Sequence, residues 1–424
     1  MSPVDAQVTV IGGGAVGAAA TYYLAKAGYT DIQLVEAHHL ASATTSQAAG
    51  LLGQARTTLD RTRLSMASAQ LFRNMERDVG YPSDWRETGS LRIALSDTSV
   101  AEIELIASVA AQAGLEFHLV DSAETQRMCP TLEDVSAIRK SLWIPTDGYV
   151  QPHTLTQAYA AGARDLGARI ITNCRVLDVQ LTQGQVTGIV TEDGVTSTEM
   201  VVNAAGPWAG ALARQSGIEL PVVPVLHEYF VTDSVPGWHN GTPCLRIPEI
   251  QVYARGEGEG ILCGGFEHAG TSLDPTTVDV RTQLPDDPHW DVLGQFATAF
   301  ARFVPRVSDV GIRTAFRGWP GFTPDGRFLV GPVQGLRGYV MAAGCNAHGV
   351  SGSAGLAEHL LDSLSNNPSN YVQTLSPNRF LPRTWDWQDA QRAAQAICEN
   401  YYPMPGTSIP RISEGGRHAG ATYQ

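Results

Sequence analysis

The first apolar runs of the chain predict a strand, a helix and a second strand in close succession. Residues 8–11 form a short β-branched run, which is typical of a buried strand. An alanine-rich helical stretch follows to Gly28, and a second apolar run at residues 32–35 ends at Glu36. The pattern therefore predicts a βαβ unit at the start of the chain.

Downstream, the pattern alternates predicted strands and helices, and no low-complexity linker separates them. Predicted helices cover residues 59–79, 100–113, 154–166, 290–303 and 350–364. Predicted strands cover residues 90–95, 115–120, 169–172, 176–181, 186–191, 200–206, 226–232, 251–254, 261–265 and 339–344. From Ser365 onward the periodicity is weak, and we expect a tail that wraps around the rest and frays.

Length and composition narrow the class of protein. The chain has 424 residues, enough for about two domains. Its net charge of −13 disfavours nucleic acid and anionic membrane surfaces as partners. The apolar N-terminal run has no basic flank and is interrupted by glycines, so we expect neither a signal peptide nor a membrane span. Six scattered cysteines without a C-x-x-C pair predict reduced thiols in a cytoplasmic protein, with no zinc site.

The turn after the first strand carries candidate chemistry. Gly12, Gly14 and Gly17 fit the G-x-G-x-x-G pattern between a strand and a helix. The first permits a tight turn, the second a close approach of a pyrophosphate, and the third close packing of helix and strand. Glu36, about 20 residues on, is placed to accept hydrogen bonds from the ribose hydroxyls of an adenosine. These residues predict a bound dinucleotide and leave FAD and NAD open.

Several separated motifs extend this fingerprint. In chain order they are residues 44–51 (TTSQAAGL), 147–152 (DGYVQP), 201–208 (VVNAAGPW), 323–327 (TPDGR) and 344–352 (GCNAHGVSG). With the fingerprint, these motifs resemble those of the D-amino-acid-oxidase-type flavoproteins over about residues 8–380. The likeness is greatest to the flavin domain of dimethylglycine and sarcosine dehydrogenases. The resemblance implies FAD rather than NAD.

The resemblance also implies the fold and the cofactor contacts. We expect a mixed α/β fold with a Rossmann-like FAD-binding domain interleaved with a mixed-sheet substrate domain. The FAD-binding domain is predicted at 1–85, 147–215 and 311–380, the substrate domain at 86–146 and 216–310, and the tail at 381–424. The predicted FAD-binding residues are Gly12, Gly14, Ala15, Val16, Gly17, Glu36, Ala37, Thr44, Thr45, Ser46, Gln47, Ala49, Gly50, Leu51, Val176, Ala204, Ala205, Gly206, Trp208, Asp325, Gly344, Asn346, Ala347, His348, Gly349 and Val350.

The mode of flavin attachment follows from one position in the 44–51 motif. Covalent members of the family carry a histidine immediately before Ala-Ala-Gly-Leu, where this chain has Gln47. Other relatives use a cysteine shortly before the Thr-x-Asp segment, and residues 317–322 contain none. The resemblance therefore implies a non-covalent FAD.

For the substrate pocket, the resemblance places His227 and Tyr253 over the flavin as candidate catalytic residues. A histidine whose pKa lies near neutral pH suits proton transfer, and a tyrosine can orient an amine. Three arginines, Arg56, Arg255 and Arg317, are candidates to bind a substrate carboxylate. Monomeric sarcosine oxidases use a lysine near the position of Ser351, so an amino-acid substrate is not assured.

The resemblance implies oxidation of a C–N bond in a secondary or tertiary amine, such as an N-alkyl amino acid. A hydride would pass to flavin N5, water would hydrolyse the imine, and O2 or an electron carrier would take the electrons. Two alternatives stay open: oxidation of a D-amino acid or a C–OH bond by the same fold, and a flavin-bearing subunit of a hetero-oligomer. The expected partner is a small-molecule amine, with no metal and with a homo-oligomer possible.

Overall fold

The computed structural model of the protein describes residues 6–278, 287–381 and 385–402. Two eight-stranded sheets organise it. The first has five parallel strands at its centre, and the first strand, Ala6–Ile11, pairs with neighbours on both sides. In spatial order these five strands are Tyr339–Ala343, Gly194–Asn203, Ala6–Ile11, Ile32–Val35 and Arg169–Ile171. The antiparallel strands Leu329–Pro332, Gln185–Thr191 and Val176–Thr182 complete the sheet.

Helices with small or apolar buried faces cover this sheet. They are Ala15–Lys26, Leu59–Val79, Pro152–Asp165 and Ser353–Ser363. In the first of them, Ala18, Ala19 and Ala20 are all buried, which lets neighbouring helices approach closely. Together with Leu64, Phe72 and other side chains they form a large apolar core. The predicted βαβ unit and Rossmann-like sheet are confirmed.

The second sheet is mixed and carries the predicted pocket residues. Its spatial order is Ile312–Gly318, His227–Thr232, Gly260–Gly265, Val252–Glu257, Cys244–Ile247, Ser90–Ala94, Lys140–Ile144 and His118–Val120. The helix Trp290–Ala301 packs on one face, where Phe230, Phe296 and Phe300 share a core. The helices Asp97–Ala113 and Ser122–Met128 pack at its other end.

Short elements connect the two sheets. Two small antiparallel pairs join Leu51–Leu52 to Gly148–Tyr149 and Val223–Pro224 to Gly321–Phe322. The remaining α-helices are Ala209–Gln215, Asn370–Thr374 and Trp387–Glu399. Single-turn 3-10 helices lie at Ala43–Thr45, Gly206–Trp208, Pro248–Ile250, Pro275–Thr277, Pro305–Asp309 and Pro377–Phe380.

Two segments differ from the sequence prediction. Ile312–Gly318, placed by the predicted boundary at 311 in the FAD-binding domain, pairs with His227–Thr232 in the second sheet. The tail, expected to be irregular, contains the helix Trp387–Glu399, whose N-terminus is capped by the side chain of Asp386. Apolar residues recur at helical spacing along this helix, at Trp387, Ala390, Ala394 and Ile397. Its buried residues are mainly alanines: Ala390, Ala393, Ala394 and Ala396, with Cys398. The predicted tail beyond residue 402 lies outside the described residues.

Candidate functional site

The glycine-rich turn after the first strand leaves no room for side chains. Gly12 has a φ of +109°, and a Cβ atom there would collide with the carbonyl oxygen of Ala204. A Cβ atom at Gly17 would collide with the carbonyl oxygen of Gly12. The turn therefore brings Ala204, at the end of the Gly194–Asn203 strand, against the N-terminus of the Ala15–Lys26 helix. First-turn N–H groups lack partners within a helix and suit an anion such as a diphosphate.

Glu36 organises the end of the second strand. Its carboxylate accepts hydrogen bonds from the Gly13 N–H at 2.6 Å and from the N–H of His38, the residue after Ala37, at 2.8 Å. Its backbone carbonyl accepts the Cys174 N–H at 2.9 Å, which brings the segment leading into Val176 alongside. A carboxylate has more acceptor sites than these two N–H groups use, so ribose hydroxyls can also donate to it.

Residues 42–51 form a loop that lies between the two sheets. The Thr45 Oγ1 accepts the Ala15 N–H at 3.1 Å, at the start of the fingerprint helix. At the other end, the Ala49 carbonyl oxygen accepts the Arg255 Nε–H at 2.9 Å. Gln47 lies beside Gly318 of the second sheet, and its Oε1 is buried without a hydrogen-bond partner among the described residues. The loop thus places the predicted flavin-binding residues between the nucleotide turn and the substrate-side sheet.

The turn after the Tyr339–Ala343 strand has an unusual backbone. Gly344, Asn346 and Ala347 all have positive φ angles. Asn346 stabilises the turn, because its Nδ2 donates to the Gly344 carbonyl at 2.7 Å and its Oδ1 accepts the Thr323 N–H at 2.9 Å. A Cβ atom built at Gly349 would lie 3.6 Å from Cγ2 of Val16, so this turn packs beside the fingerprint helix.

Two predicted contacts have structural partners that compete with a cofactor role. The Asp325 carboxylate pairs with Arg379, whose Nε donates at 2.7 Å, and it accepts from the Thr323 hydroxyl. Trp208 lies after Gly206, and its Nε1–H reaches the Val278 carbonyl at 3.4 Å. Both residues border the site but hold neighbouring protein segments together.

His227 and Tyr253 form a hydrogen-bonded pair on the second sheet. His227 Nε2 and the Tyr253 hydroxyl are 2.7 Å apart, although a strand separates them. That strand contributes Gly264 between them, and a Cβ atom there would lie 2.5 Å from the Tyr253 hydroxyl oxygen. Burial lowers the pKa of His227 to about 4 and raises that of Tyr253 well above its usual range. Both side chains are therefore neutral at pH 7. The near-neutral histidine pKa expected from the sequence is wrong, because the imidazole is buried.

An apolar cluster joins this pair to the loops described above. It contains Tyr253, Phe266, Ala49, Leu51 and Ala347. The structure thus brings together the predicted substrate-side residues, the 42–51 loop and the 344–350 turn. These residues are far apart in the sequence and meet only because the two sheets face one another here.

Sequence reasoning missed three aromatic residues at this position. The ring centroid of Phe266 lies 4.7 Å from that of His227. Tyr401 stacks on Phe266, with 3.7 Å between the ring centroids and 12° between the ring planes. The Tyr401 hydroxyl lies 3.0 Å from Nε2 of His348. Tyr402 contacts Phe266 edge-on at 5.5 Å. The alanine-rich spacing of residues 390–398 before a Tyr-Tyr pair was the available signal.

The three candidate arginines have different surroundings. Arg255 forms an ion pair with Glu257. Arg317 Nε lies 3.6 Å from Glu228 Oε1, and Arg317 Nη1 donates to the Asp287 carbonyl oxygen. Arg56 has no carboxylate within ion-pair distance in the described part of the chain. It lines a small cavity with Arg61, Leu64, Ser65, Phe328 and His348.

Charge and burial distinguish this cavity from an ordinary surface. Burial lowers the pKa of Arg56 to about 10, and burial together with Arg56 and Arg61 holds the pKa of His348 well below its usual range. An anion would relieve this repulsion. Arg56 is therefore the candidate that the structure leaves available for a substrate carboxylate.

A cluster of side chains of metal-ligand type lies on the face of the second sheet opposite His227. Among the described residues, Glu228, Glu267 and His289 place ligand atoms within 4.8 Å of one another. Arg317 donates to His289 Nε2 at 3.0 Å, and Glu228 also accepts the backbone N–H that begins the Trp290–Ala301 helix. Burial and the neighbouring Glu228 raise the pKa of Glu267 to about 7. The arginine and the helix N–H contact part of this cluster, while Glu228 Oε2 and Glu267 Oε1 have no hydrogen-bond partner among the described residues.

The residues present fit a bound FAD. The glycine turn and the first-turn N–H groups suit the diphosphate, and Glu36 suits the ribose. The buried Oε1 of Gln47 and Nδ1 of His227 have no hydrogen-bond partner within the described ranges, which is unusual for buried polar atoms. Both atoms lie where the two sheets meet, at the position expected for the reactive end of a flavin.

Comparison with known proteins agrees with this geometry. The model of the family described as FAD dependent oxidoreductase matches residues 7–363. Human mitochondrial sarcosine dehydrogenase is 32% identical over 364 residues, which are 84% of this chain and 39% of that protein. The 4-methylaminobutanoate oxidase (formaldehyde-forming) of Paenarthrobacter nicotinovorans is 28% identical, over 89% of this chain and 46% of its own length. The chain thus spans less than half the length of these two relatives.

A solved structure supports the fold. L-proline dehydrogenase from P. horikoshii superposes with a TM-score of 0.80 at 24% identity, covering 89% of this chain and 98% of that one. At this identity the likeness concerns the fold alone. Separately, none of the helices in the described ranges combines the length and the apolar character that crossing a bilayer requires.

Proposed function

The chain belongs to the FAD-dependent oxidoreductase family, and on that premise we propose that it oxidises the C–N bond of a secondary or tertiary amine. The substrate is an N-alkyl amino acid or a related compound, and O2 or an electron carrier receives the electrons. The observation that carries the proposal is the buried, neutral His227–Tyr253 pair beside the loops that suit the flavin.

The pair suits the chemistry of an amine. A secondary or tertiary ammonium has a pKa near 10, by comparison with lysine, so in water at pH 7 it is mostly protonated. Oxidation at the carbon next to nitrogen needs the free lone pair, because an ammonium cannot push electrons towards the breaking C–H bond. Apolar surroundings disfavour the charged form, so the pocket favours the neutral amine, and the buried imidazole stays neutral beside it.

When bound, FAD supplies the acceptor for the two electrons that leave the substrate as a hydride. The substrate left behind is an iminium, and addition of water splits it into a smaller amine and a carbonyl compound. In this step the chain's own task is positional: Tyr253 and His227 orient the nitrogen, and the apolar cluster excludes water.

Arg56 gives the proposal its preference for amino acids. A guanidinium without an acidic partner in the described chain, facing a cavity beside His348, can bind a carboxylate in a bidentate way. A substrate with a carboxylate would then lie with that group towards Arg56 and its nitrogen towards His227.

A panel of amines tests the proposal. The holoenzyme is mixed anaerobically with N-methyl amino acids, their decarboxylated amines, primary D-amino acids and 2-hydroxy acids, and bleaching of the flavin band is followed. We expect rapid bleaching with N-alkyl amino acids and slower bleaching with the decarboxylated amines. Preferential bleaching by primary D-amino acids or hydroxy acids would overturn the proposal, and inertness to every compound would favour a non-catalytic flavin subunit.

A further inference from the structure

The helix Trp387–Glu399 is held firmly against the substrate side of the molecule. The Gly270 N–H donates to Glu399 Oε1 at 2.7 Å, and Gln395 Nε2 donates to the Gly270 carbonyl at 2.8 Å. Gln391 Nε2 donates to the Ser272 hydroxyl at 3.1 Å. These bonds lie along one face of the helix and fix its rotation as well as its position.

The same helix contacts the other part of the molecule. A Cβ atom at Gly326, in the turn after Phe322, would lie 3.3 Å from Ile397. Ala394 and Cys398 are almost completely buried in the cluster that contains Tyr253 and Phe266. The helix therefore bridges the two sheets at the place where the predicted pocket and flavin loops meet.

The two residues that follow reach into this meeting place. Tyr401 lies with one ring face on Phe266, and its ring is also nearly parallel to that of His348, 5.4 Å away. Its hydroxyl approaches His348 Nε2, while His348 Nδ1 lies 2.8 Å from the Asn346 carbonyl oxygen. Tyr401 thus connects the substrate-side sheet with the 344–350 turn.

Tyr402 fills the adjoining space. The guanidinium carbon of Arg92 lies 5.3 Å from its ring centroid, and its edge contacts Phe266. Of the two tyrosines, Tyr402 is the more deeply buried, at 9% exposure, and Tyr401 has the more open face. Tyr402 therefore supports the cluster, whereas Tyr401 borders the pocket.

We propose that Tyr401 forms the aromatic wall of the amine pocket and sets the size of the N-substituent that the site accepts. Phe266 and His227 continue the same row of rings, so an amine held by His227 and Tyr253 has its N-substituent beside this wall. An arriving ammonium is also attracted by the face of an aromatic ring. The inference deepens the proposed function and rests on it.

Size selection by a wall has a measurable signature. Loss of the Tyr401 side chain opens space for larger groups, and discrimination by one apolar group is worth about 10-fold to 200-fold. For the N-benzyl and N-methyl derivatives of one amino acid, Tyr401→Ala should raise the ratio of the N-benzyl kcat/KM to the N-methyl kcat/KM by about 10-fold or more. Tyr401→Phe keeps the ring and should keep the wild-type size preference.

Tyr81 provides the matched control. It is a half-buried tyrosine that packs on the helices covering the first sheet, and its hydroxyl donates to Asp165 Oδ2 at 2.9 Å. Tyr81→Ala should leave the ratio of N-benzyl to N-methyl rates unchanged. An equal change in the Tyr81 and Tyr401 variants would assign Tyr401 a merely structural role and overturn the inference.

A second readout does not depend on turnover. Acetate and phenylacetate are titrated into the holoenzyme, and their dissociation constants are taken from the perturbed flavin spectrum. The ratio of the two constants should shift towards phenylacetate in Tyr401→Ala and stay constant in Tyr401→Phe. If Tyr401→Ala does not fold, Tyr401→Leu replaces it in both assays.

The two assays separate the possible failures. Wild-type reduction by amines with an unchanged size preference in the Tyr401 variants overturns the wall and leaves the proposed function intact. A shift in carboxylate binding without reduction by any amine supports the wall and overturns the amine chemistry. A wild-type holoenzyme that responds to neither amines nor carboxylates overturns both.

Discussion

The Tyr253 hydroxyl reaches His227 across an intervening strand, and it does so over a glycine. Gly264 lies opposite Tyr253 on one side and Tyr229 on the other. Because Gly264 has no side chain, the Tyr253 ring can lie across this strand, and its hydroxyl can form the 2.7 Å hydrogen bond with His227 Nε2. The geometry of the pair is therefore built into the sheet rather than into a loop.

Replacement of Gly264 tests this relationship. In Gly264→Ala the new methyl group would displace the Tyr253 hydroxyl. We therefore expect the variant to slow anaerobic flavin reduction to the same extent as Tyr253→Phe, which removes that hydroxyl. The added loss of stability should be about 1–3 kcal/mol, as for other overpacked sites. Stopped-flow reduction and urea unfolding measure the two effects. Gly294→Ala, at an exposed position inside a helix with open space around it, is the control. It should leave reduction unchanged and raise stability slightly, since alanine favours the helix over glycine.

Removal of the imidazole tests the role of His227. His227→Ala should slow anaerobic flavin reduction by about 100-fold, because the amine loses a side chain that positions it, while FAD stays bound. The pocket takes up neutral amine in both proteins, since the buried imidazole is too weak a base to deprotonate an ammonium. The rate should therefore rise with pH towards the pKa of the amine in wild type and variant alike. Equal rates at every pH would make His227 structural.

Acid should destabilise the protein partly through the buried histidines. The pKa of His227 is about 4 in the folded state and near 6.5 when unfolded, so the unfolded chain binds more protons between these values. Folding stability is then lost as pH falls from about 6.5 to 4, and His348 acts in the same direction.

A histidine variant isolates this contribution. His227→Gln should lose less stability than wild type between pH 6.5 and 4, measured by urea unfolding at several pH values. His153→Gln changes an exposed histidine, and its free energy of unfolding should depend on pH as in wild type. The same pH dependence of this free energy in all three proteins would contradict the assignment to His227.

Glu36 should contribute to FAD affinity in two ways. Its carboxylate is placed for the ribose and also holds the Gly13 and His38 N–H groups. Glu36→Ala should weaken FAD binding by about 1–3 kcal/mol, because hydrogen-bond donors lose a charged acceptor. Fluorescence titration of the apoprotein with FAD measures it. Glu36→Gln, which keeps one oxygen acceptor, should lose less, and Glu199→Ala on an exposed strand position should lose nothing.

The flavin is predicted to be non-covalent. Gln47 occupies the position of the attaching histidine and lies beside Gly318, one of residues 317–322, which include no cysteine. Acid precipitation should release all yellow colour to the supernatant and leave a colourless pellet. Flavin fluorescence retained by the washed pellet would show a covalent bond.

The sequence was most informative where chemistry constrains the backbone. The spacing of Gly12, Gly14 and Gly17 predicts a turn because only glycine tolerates its close contacts, and the structure shows those contacts. Strands such as residues 261–265 were predicted correctly because short apolar runs suit a buried sheet. The motif resemblance added FAD, which spacing alone left open.

Long-range contacts were beyond such reasoning. Nothing in the local pattern of Ile312–Gly318 tells which sheet it joins, because both sheets accept an alternating strand. The Trp387–Glu399 helix was missed although its apolar residues recur at helical spacing, because alanine contributes most of its buried positions and is less apolar than leucine or valine. Tyr401 belongs to the site only through this helix, so its role could not be seen before the helix was placed.

The pairing of Ala6–Ile11 has a consequence for how the chain folds during its synthesis on the ribosome. One neighbour, Ile32–Val35, follows almost at once, but the other, Gly194–Asn203, is synthesised only after three strands of the second sheet. The sheet then gains Tyr339–Ala343 later still. Such non-local pairing slows folding, since long loops must close before the contacts form. The first strand, although it is made first, therefore keeps one unpaired edge until nearly half of the chain has been synthesised.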